Sequence, residues 1–238
     1  MPTSLSLSKR IELKYFIHSS QYNELLNDLL VFMTFDPYLD KITRSYEVWS
    51  LYFDSPNQDA YFEKLDGLNV RQKLRFRTYG PLNKLPENIN VEIKARVKFQ
   101  TIKVRSKIPL QTYNQLLKSR YHWSTLLPLC ENGNLKKFYQ VARLTNAIPS
   151  VLVKYQRRAL VGKRDPDIRV TFDWNLQRAI RVGDLFSAPK YMPAILPPRK
   201  FVFEIKFRDH MPDWIYFIIK KYRLFNEAIS KYAICLQQ

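Results

Sequence analysis

Over much of the chain apolar and polar residues alternate with period two, the pattern of strands with one buried face. The alternation predicts strands at Arg10–Ile17, Tyr46–Asp54, Arg71–Tyr79, Asn90–Phe99, Thr101–Ile108, Val151–Val161, Ile168–Asp173 and Phe201–Arg208. Between them the spacing changes to that of helices. Ser20 is placed to cap a helix whose apolar residues Leu25, Leu26, Leu29, Leu30 and Met33 share one face, with Pro37 as its stop. Gln111–Arg120 and Leu135–Leu144 read as short helices. Pro212 suits the first turn of a last helix, Asp213–Phe225, facing inward with Trp214, Phe217, Ile218 and Ile219. A proline cluster at Pro189, Pro193, Pro197 and Pro198 marks a loop before the last strand. With no repeat and no low-complexity tract, the expected architecture is one α+β domain over residues 1–238, rich in antiparallel strands.

The charges fall on the same faces of those strands. Arg71, Lys73, Arg75 and Arg77 share one face, with Leu74, Phe76 and Thr78 on the other. Glu92, Lys94, Arg96 and Lys98 oppose Val91, Ile93, Ala95 and Val97; Lys103, Arg105 and Lys107 oppose Ile102, Val104 and Ile108. Arg10, Glu12 and Lys14 near the start, and Glu204, Lys206 and Arg208 near the end, repeat the arrangement. Any one such row reads as a solvated outer face. Five together do not, because a solvated face mixes uncharged polar residues and both signs, and like charges opposite each other repel. Glu-apolar-Lys recurs three times, at Glu12-Leu13-Lys14, Glu92-Ile93-Lys94 and Glu204-Ile205-Lys206. The pattern predicts a barrel with this face inward. Its lumen demands a dense anion, its carboxylates are free to hold a divalent cation, and amphipathic helices cover the apolar exterior.

Composition sharpens the picture. Thirty-nine Lys and Arg against 21 acids leave a net charge of +18, which points to a polyanionic partner: nucleic acid, anionic lipid or polyphosphate. Five glycines stand where average usage of roughly 7% supplies about 17, and neither GxGxxG nor GxxxxGK[ST] occurs, so a Gly-rich nucleotide loop is excluded. Cys130 and Cys235 have no metal-ligand spacing and suit a reducing compartment; His18, His122 and His210 are too scattered for a zinc site. No run approaches 18 apolar residues, and Met1–Lys9 has no apolar signal region. A soluble, cytoplasmic protein is expected.

At the charged strands the chain resembles the triphosphate tunnel metalloenzymes (the CYTH-like superfamily), and within them the polyphosphate polymerase (vacuolar transporter chaperone, VTC) domain. The resemblance runs from Arg10 to Tyr232. Its landmarks are Glu12-Leu13-Lys14-Tyr15, Ser50-Leu51-Tyr52-Phe53-Asp54-Ser55-Pro56, Lys73-Leu74-Arg75-Phe76-Arg77-Thr78-Tyr79-Gly80 and Glu92-Ile93-Lys94. They continue through Tyr155-Gln156-Arg157-Arg158-Ala159, Arg169-Val170-Thr171-Phe172-Asp173, Glu204-Ile205-Lys206-Phe207 and Ser230-Lys231-Tyr232. The resemblance implies an eight-stranded antiparallel barrel forming a cationic tunnel. It implies ATP and inorganic polyphosphate as partners, the γ-phosphate of ATP elongating the polymer with Mn²⁺ or Mg²⁺ as cofactor, and no nucleic acid. Lys14, Arg75, Arg77, Lys94, Lys103, Arg157 and Arg169 would then be phosphate ligands, joined by Lys206. Arg105 and Lys107 offer competing registers for Lys103. Glu204 would be the metal carboxylate, with Glu12 and Glu92 as further candidates. Tyr155 would contact the nucleotide, and Ser230 and Lys231 would lie where the tunnel meets the C-terminal helix.

Phosphoryl transfer depends chiefly on positioning and electrostatics, which suits a site without a Ser or Cys nucleophile or a histidine base. In this reading Arg75, Arg77, Arg157 and Arg169 clamp the ATP phosphates. The attacking polyphosphate terminus is already ionised and needs no strong base. Two alternatives stay open: a hydrolase of tripolyphosphate or of nucleoside or RNA 5′-triphosphates on the same fold, and a nonenzymatic binder of RNA or anionic lipid. The last is opposed by Phe76, which lies on the opposite strand face from Arg75 and Arg77. Glu12 and Glu92 also read as simple partners of neighbouring cations, and Lys231 as a cation at a helix end.

Overall fold

The computed structural model describes residues 10–97 and 100–237. Met1–Lys9, and Lys98 and Phe99 of one expected strand, lie outside the described residues. In chain order the elements are β1 (Arg10–His18), α1 (Ser19–Phe32), β2 (Met33–Phe35), β3 (Tyr46–Asp54), α2 (Asp59–Leu65), β4 (Val70–Tyr79), β5 (Asn88–Val97) and β6 (Gln100–Pro109). There follow α3 (Leu110–Lys118), a 3-10 helix (Trp123–Leu129), α4 (Gly133–Leu144), β7 (Ile148–Gly162), β8 (Arg169–Ile180), β9 (Lys200–Arg208), α5 (Asp213–Lys221) and α6 (Lys231–Leu236). The fold is α+β, as the pattern predicts, and each of the eight expected strands is present. Among the described residues no helix is long and apolar enough to cross a membrane.

The chain packs as two compact units. The first takes the residues up to Ser45, Arg157–Trp174 and Pro197–Ile229; the second takes Tyr46–Gln156, Asn175–Leu196 and the residues from Ser230 on. In the first the strand order is β1-β9-β8-β7, with β2 on the end of β7; in the second it is β7-β3-β4-β5-β6. The β1–β9, β8–β9, β3–β4, β4–β5 and β5–β6 registers are all antiparallel.

In each unit the apolar strand face lies under helices. Tyr15, Ile17, Val170, Phe172, Phe203, Ile205 and Phe207 of the first unit pack against Leu25, Leu26 and Leu29 of α1 and Ile215 and Ile218 of α5. In the second, Leu51, Phe53, Leu74, Phe76, Val91 and Ile93 pack against Tyr113 and Leu116 of α3, Trp123 of the 3-10 helix and Phe138 of α4. Phe76 is wholly buried, with ring centroids of Phe53 at 4.8 Å and Phe138 at 5.6 Å. Truncating a ring so placed costs about 3–5 kcal/mol. In the second unit α6 packs its Tyr232 and Cys235 on Val48, Tyr52, Val151, Val153 and Tyr155.

Several local expectations are corrected. His18, not Ser20, caps α1, its ring accepting from the Ser20 amide at 3.2 Å, and the helix ends at Phe32 because Met33 already pairs with Gly162. In α5, Ile218, Trp214 and Ile219 face inward as expected, together with Ile215, while Phe217 is 68% exposed and does not. The helix ends at Lys221, short of Phe225. Helices α2 and α6 and the 3-10 turn are too short to show a period. At the β7–β8 turn, a side chain on Gly162 would meet Asp165 O at 2.3 Å, so only glycine fits.

Candidate functional site

The second unit carries a cationic strand face centred on one carboxylate. The registers place Tyr52, Arg75, Glu92 and Arg105 in a single cross-strand row, with side chains on one face. Glu92 is fully buried, and both its oxygens are engaged. Arg75 approaches Oε2 with Nε at 2.7 Å and Nη2 at 2.6 Å. Oε1 receives Lys103 Nζ at 2.9 Å, Arg105 Nε at 2.8 Å and Arg105 Nη2 at 2.8 Å. Arg77 stands 3.9 Å from Oε2 and donates Nε–H to Ser50 Oγ at 2.9 Å. Burial opposes the charge on Glu92, but Arg75, Arg77, Lys103 and Arg105 outweigh it and hold the carboxyl far below the usual range. Lys103 moves the other way: burial, then the Arg75 guanidinium, push its ammonium down to about 6. Both Lys103 and Arg105 therefore belong to this cluster, while Lys107 stands opposite Asn90.

Beside this row the register sets Lys73, Lys94 and Lys103 opposite one another. Lys73 donates to Ser230 Oγ at 2.8 Å and lies 4.9 Å from the Tyr232 ring centroid. Lys231 sits 5.1 Å over the Tyr155 ring. Ser230 caps α6 through the Ala233 amide at 3.3 Å, so Lys231 opens this helix and does not stand at its C-terminal end, where a cation is favoured. Asp54 accepts from Tyr232 O–H and from the Ala60 amide at 2.9 Å, tying α6 and α2 to the end of β3. Tyr52 receives Arg75 Nη1–H on its hydroxyl at 3.0 Å.

The first unit is built differently. Its register forms two rows, Glu12 with Lys206 and Arg169, and Lys14 with Glu204 and Thr171. Arg157 holds Asp173 with a bidentate fork at 2.6 and 2.7 Å, and its Nη2 lies 3.6 Å from Glu204 Oε2. Lys206 Nζ is 2.8 Å from Glu204 and 3.9 Å from Glu12; Lys14 Nζ is 3.4 Å from Glu12 and 3.8 Å from Glu204. Lys14 also donates to Ile229 O at 2.9 Å. Arg169 pairs with the buried Asp36.

Each expected site residue thus lies on a charged strand face or beside α6. Arg75, Arg77, Lys103 and Glu92 come together in one unit; Lys14, Arg157, Glu204, Glu12 and Lys206 come together in the other. Sequence reasoning offers Arg105 only as an alternative to Lys103, and it does not single out Tyr52, Asp54, Asp173, Asp36 or Thr171 as site residues. Period two places Arg105, Tyr52 and Thr171 on the right faces, but only the register shows what they meet.

No curated protein sequence matches the chain. Among solved structures, the Hippeastrum protein HpAC1, named as an adenylyl cyclase and described as having a dominant triphosphatase activity, is 14% identical. The alignment covers 95% of this chain and 94% of that one, with a TM-score of 0.50. A Bacillus halodurans protein named as an adenylate cyclase is 10% identical over 94% of each chain, with a TM-score of 0.51. At these identities the likeness is one of fold, that of the triphosphate tunnel proteins. The VTC domain family matches residues 9–238, and the chain belongs to that family.

Proposed function

We propose that the protein is a polyphosphate polymerase that transfers the γ-phosphate of ATP to the end of an inorganic polyphosphate chain. The observation that carries this reading is the cluster at Glu92, where Arg75, Arg77, Lys103 and Arg105 gather on one buried carboxylate. Guanidinium forks match phosphate oxygens, and a strand face holds them in fixed directions. Arg75 and Arg77 in one unit, and Arg157 and Arg169 in the other, are the proposed phosphate clamps. Lys14, Lys94, Lys103, Lys206, Ser230 and Lys231 are further phosphate contacts, with Tyr155 toward the nucleotide. A cytoplasmic setting accords with Cys130 and Cys235, which are free thiols.

The divalent cation implied by the family, Mn²⁺ or Mg²⁺, fits Glu12 and Glu204. Both are oxygen donors drawn around the Lys206 ammonium, and a hard cation takes one or two carboxylates and completes its shell with phosphate oxygens. Among the described residues no cluster of three metal-ligating side chains occurs, so substrate oxygens would supply the rest. Glu92 fits poorly, because three cations already occupy its oxygens. When bound, the cation would neutralise charge on phosphate oxygens as the P–O bond is exchanged.

A hydrolase acting on tripolyphosphate is the second reading, prompted by the triphosphatase activity described for the Hippeastrum protein. Purified protein is incubated with ATP and Mn²⁺, and the products are resolved on a gel stained for polyphosphate. A ladder lost in Arg75→Ala supports the polymerase. Phosphate released from tripolyphosphate with no ladder replaces it with the hydrolase.

A further inference from the structure

The first unit contains a polar group that the proposed clamps leave unused. Thr171 on β8 stands opposite Glu204 on β9 and therefore projects to the same face. Arg169 and Asp173, two residues away on either side, share that face, and both are engaged: Arg169 with Asp36, Asp173 with Arg157. Thr171 is only 4% exposed. Among the described residues, its Oγ1 is the buried side-chain oxygen that has no hydrogen-bond partner. A hydroxyl buried without a partner is destabilising, whereas a methyl in its place is not.

We propose that Thr171 is a substrate-binding residue whose hydroxyl donates a hydrogen bond to a phosphate oxygen of the polyanion seated among Lys14, Arg157 and Lys206. The inference rests on the phosphate chemistry proposed above. Glu204, beside it, repels a phosphate oxygen unless a cation intervenes, while a neutral hydroxyl can donate to that oxygen directly. The lysines contribute charge from long, rotatable stems. Thr171 contributes direction, because a β-branched side chain on a paired strand has few rotamers.

Thr171→Val keeps the shape and removes the hydroxyl; Thr171→Ser keeps the hydroxyl. Two quantities are measured: the unfolding temperature of the ligand-free protein, and the affinity for tripolyphosphate by calorimetric titration without metal or nucleotide. The expected result for Thr171→Val is an unfolding temperature equal to or above that of the native protein, with tripolyphosphate bound about tenfold more weakly. Thr171→Ser is expected to retain native affinity. Native affinity in Thr171→Val overturns the role of Thr171 and leaves the phosphate reading standing. Joint loss of stability and affinity in Thr171→Val, not restored by Ser, assigns the residue to packing and also overturns it. If the native protein itself fails to bind tripolyphosphate, the phosphate reading falls first.

Discussion

The two charged faces solve the same problem in opposite ways. In the second unit four cations converge on Glu92, and the three lysines of the next row face one another. In the first, carboxylates alternate with cations: Glu12, Glu204, Asp173 and Asp36 against Lys14, Lys206, Arg157 and Arg169. The first kind of face is short of negative charge; the second is nearly balanced. On the proposed function the first would take an anion by itself and the second an anion that arrives with a metal cation. A strand scaffold thus sets the chemistry of each face through the residue opposite each cation, not through the number of cations.

The sharpest test of that contrast is Glu92→Gln, which leaves four cations around a neutral group. We expect a loss of about 3–5 kcal/mol in chemical denaturation, reversed in large part by tripolyphosphate. Asp173→Asn in the other unit is expected to cost about 1–3 kcal/mol, because Arg157 keeps Glu204 at 3.6 Å. Equal costs would erase the distinction between the faces.

Acidity offers a subtler probe. Lys103, pushed down to about 6, binds its proton less tightly than in the unfolded chain, so stability should rise with pH between about 6 and about 10. A bound polyanion favours the ammonium form, so tripolyphosphate affinity should fall as pH rises above 6, with proton uptake on binding near pH 7. Lys103→Arg should flatten both profiles; an unchanged slope would remove Lys103 from the ligand-binding group. The smallest effect is expected for Lys154→Met. Its ammonium pairs with Glu47 at 3.0 Å and lies over Trp49, in neither charged cluster. Stability should change by about 0.5 kcal/mol and, on the proposed function, polymer synthesis not at all.

Much of this was legible in the chain because period two survives wherever one strand face is apolar. Leu74 and Phe76 alternating with Lys73, Arg75 and Arg77 told which residues share a face, and the need for covering helices followed from it. What alternation lacks is register. That Glu92 meets Arg75 and Arg105, or that Asp173 holds Arg157, depends on how neighbouring strands slide, which no single strand encodes. Asp36 was illegible for another reason: it follows a three-residue strand that carries no period. Phe217 is illegible in the chain because Trp214, Ile215, Tyr216, Phe217, Ile218 and Ile219 run consecutively, and spacing alone does not tell which edge of that apolar run meets the core.

Arg75, Arg77 and Arg105, gathered on the single carboxylate of Glu92, leave the second unit's face with more positive than negative charge. A ligand that binds only the folded chain stabilises it with the logarithm of its own concentration. On the proposed function, where phosphate polymer is plentiful the folded form is held and the opened form is rare. Where it is scarce, the opened form becomes commoner and is the one that proteases cut. On the proposed function the enzyme's lifetime would follow its polymer, a feedback on abundance that needs no second regulator.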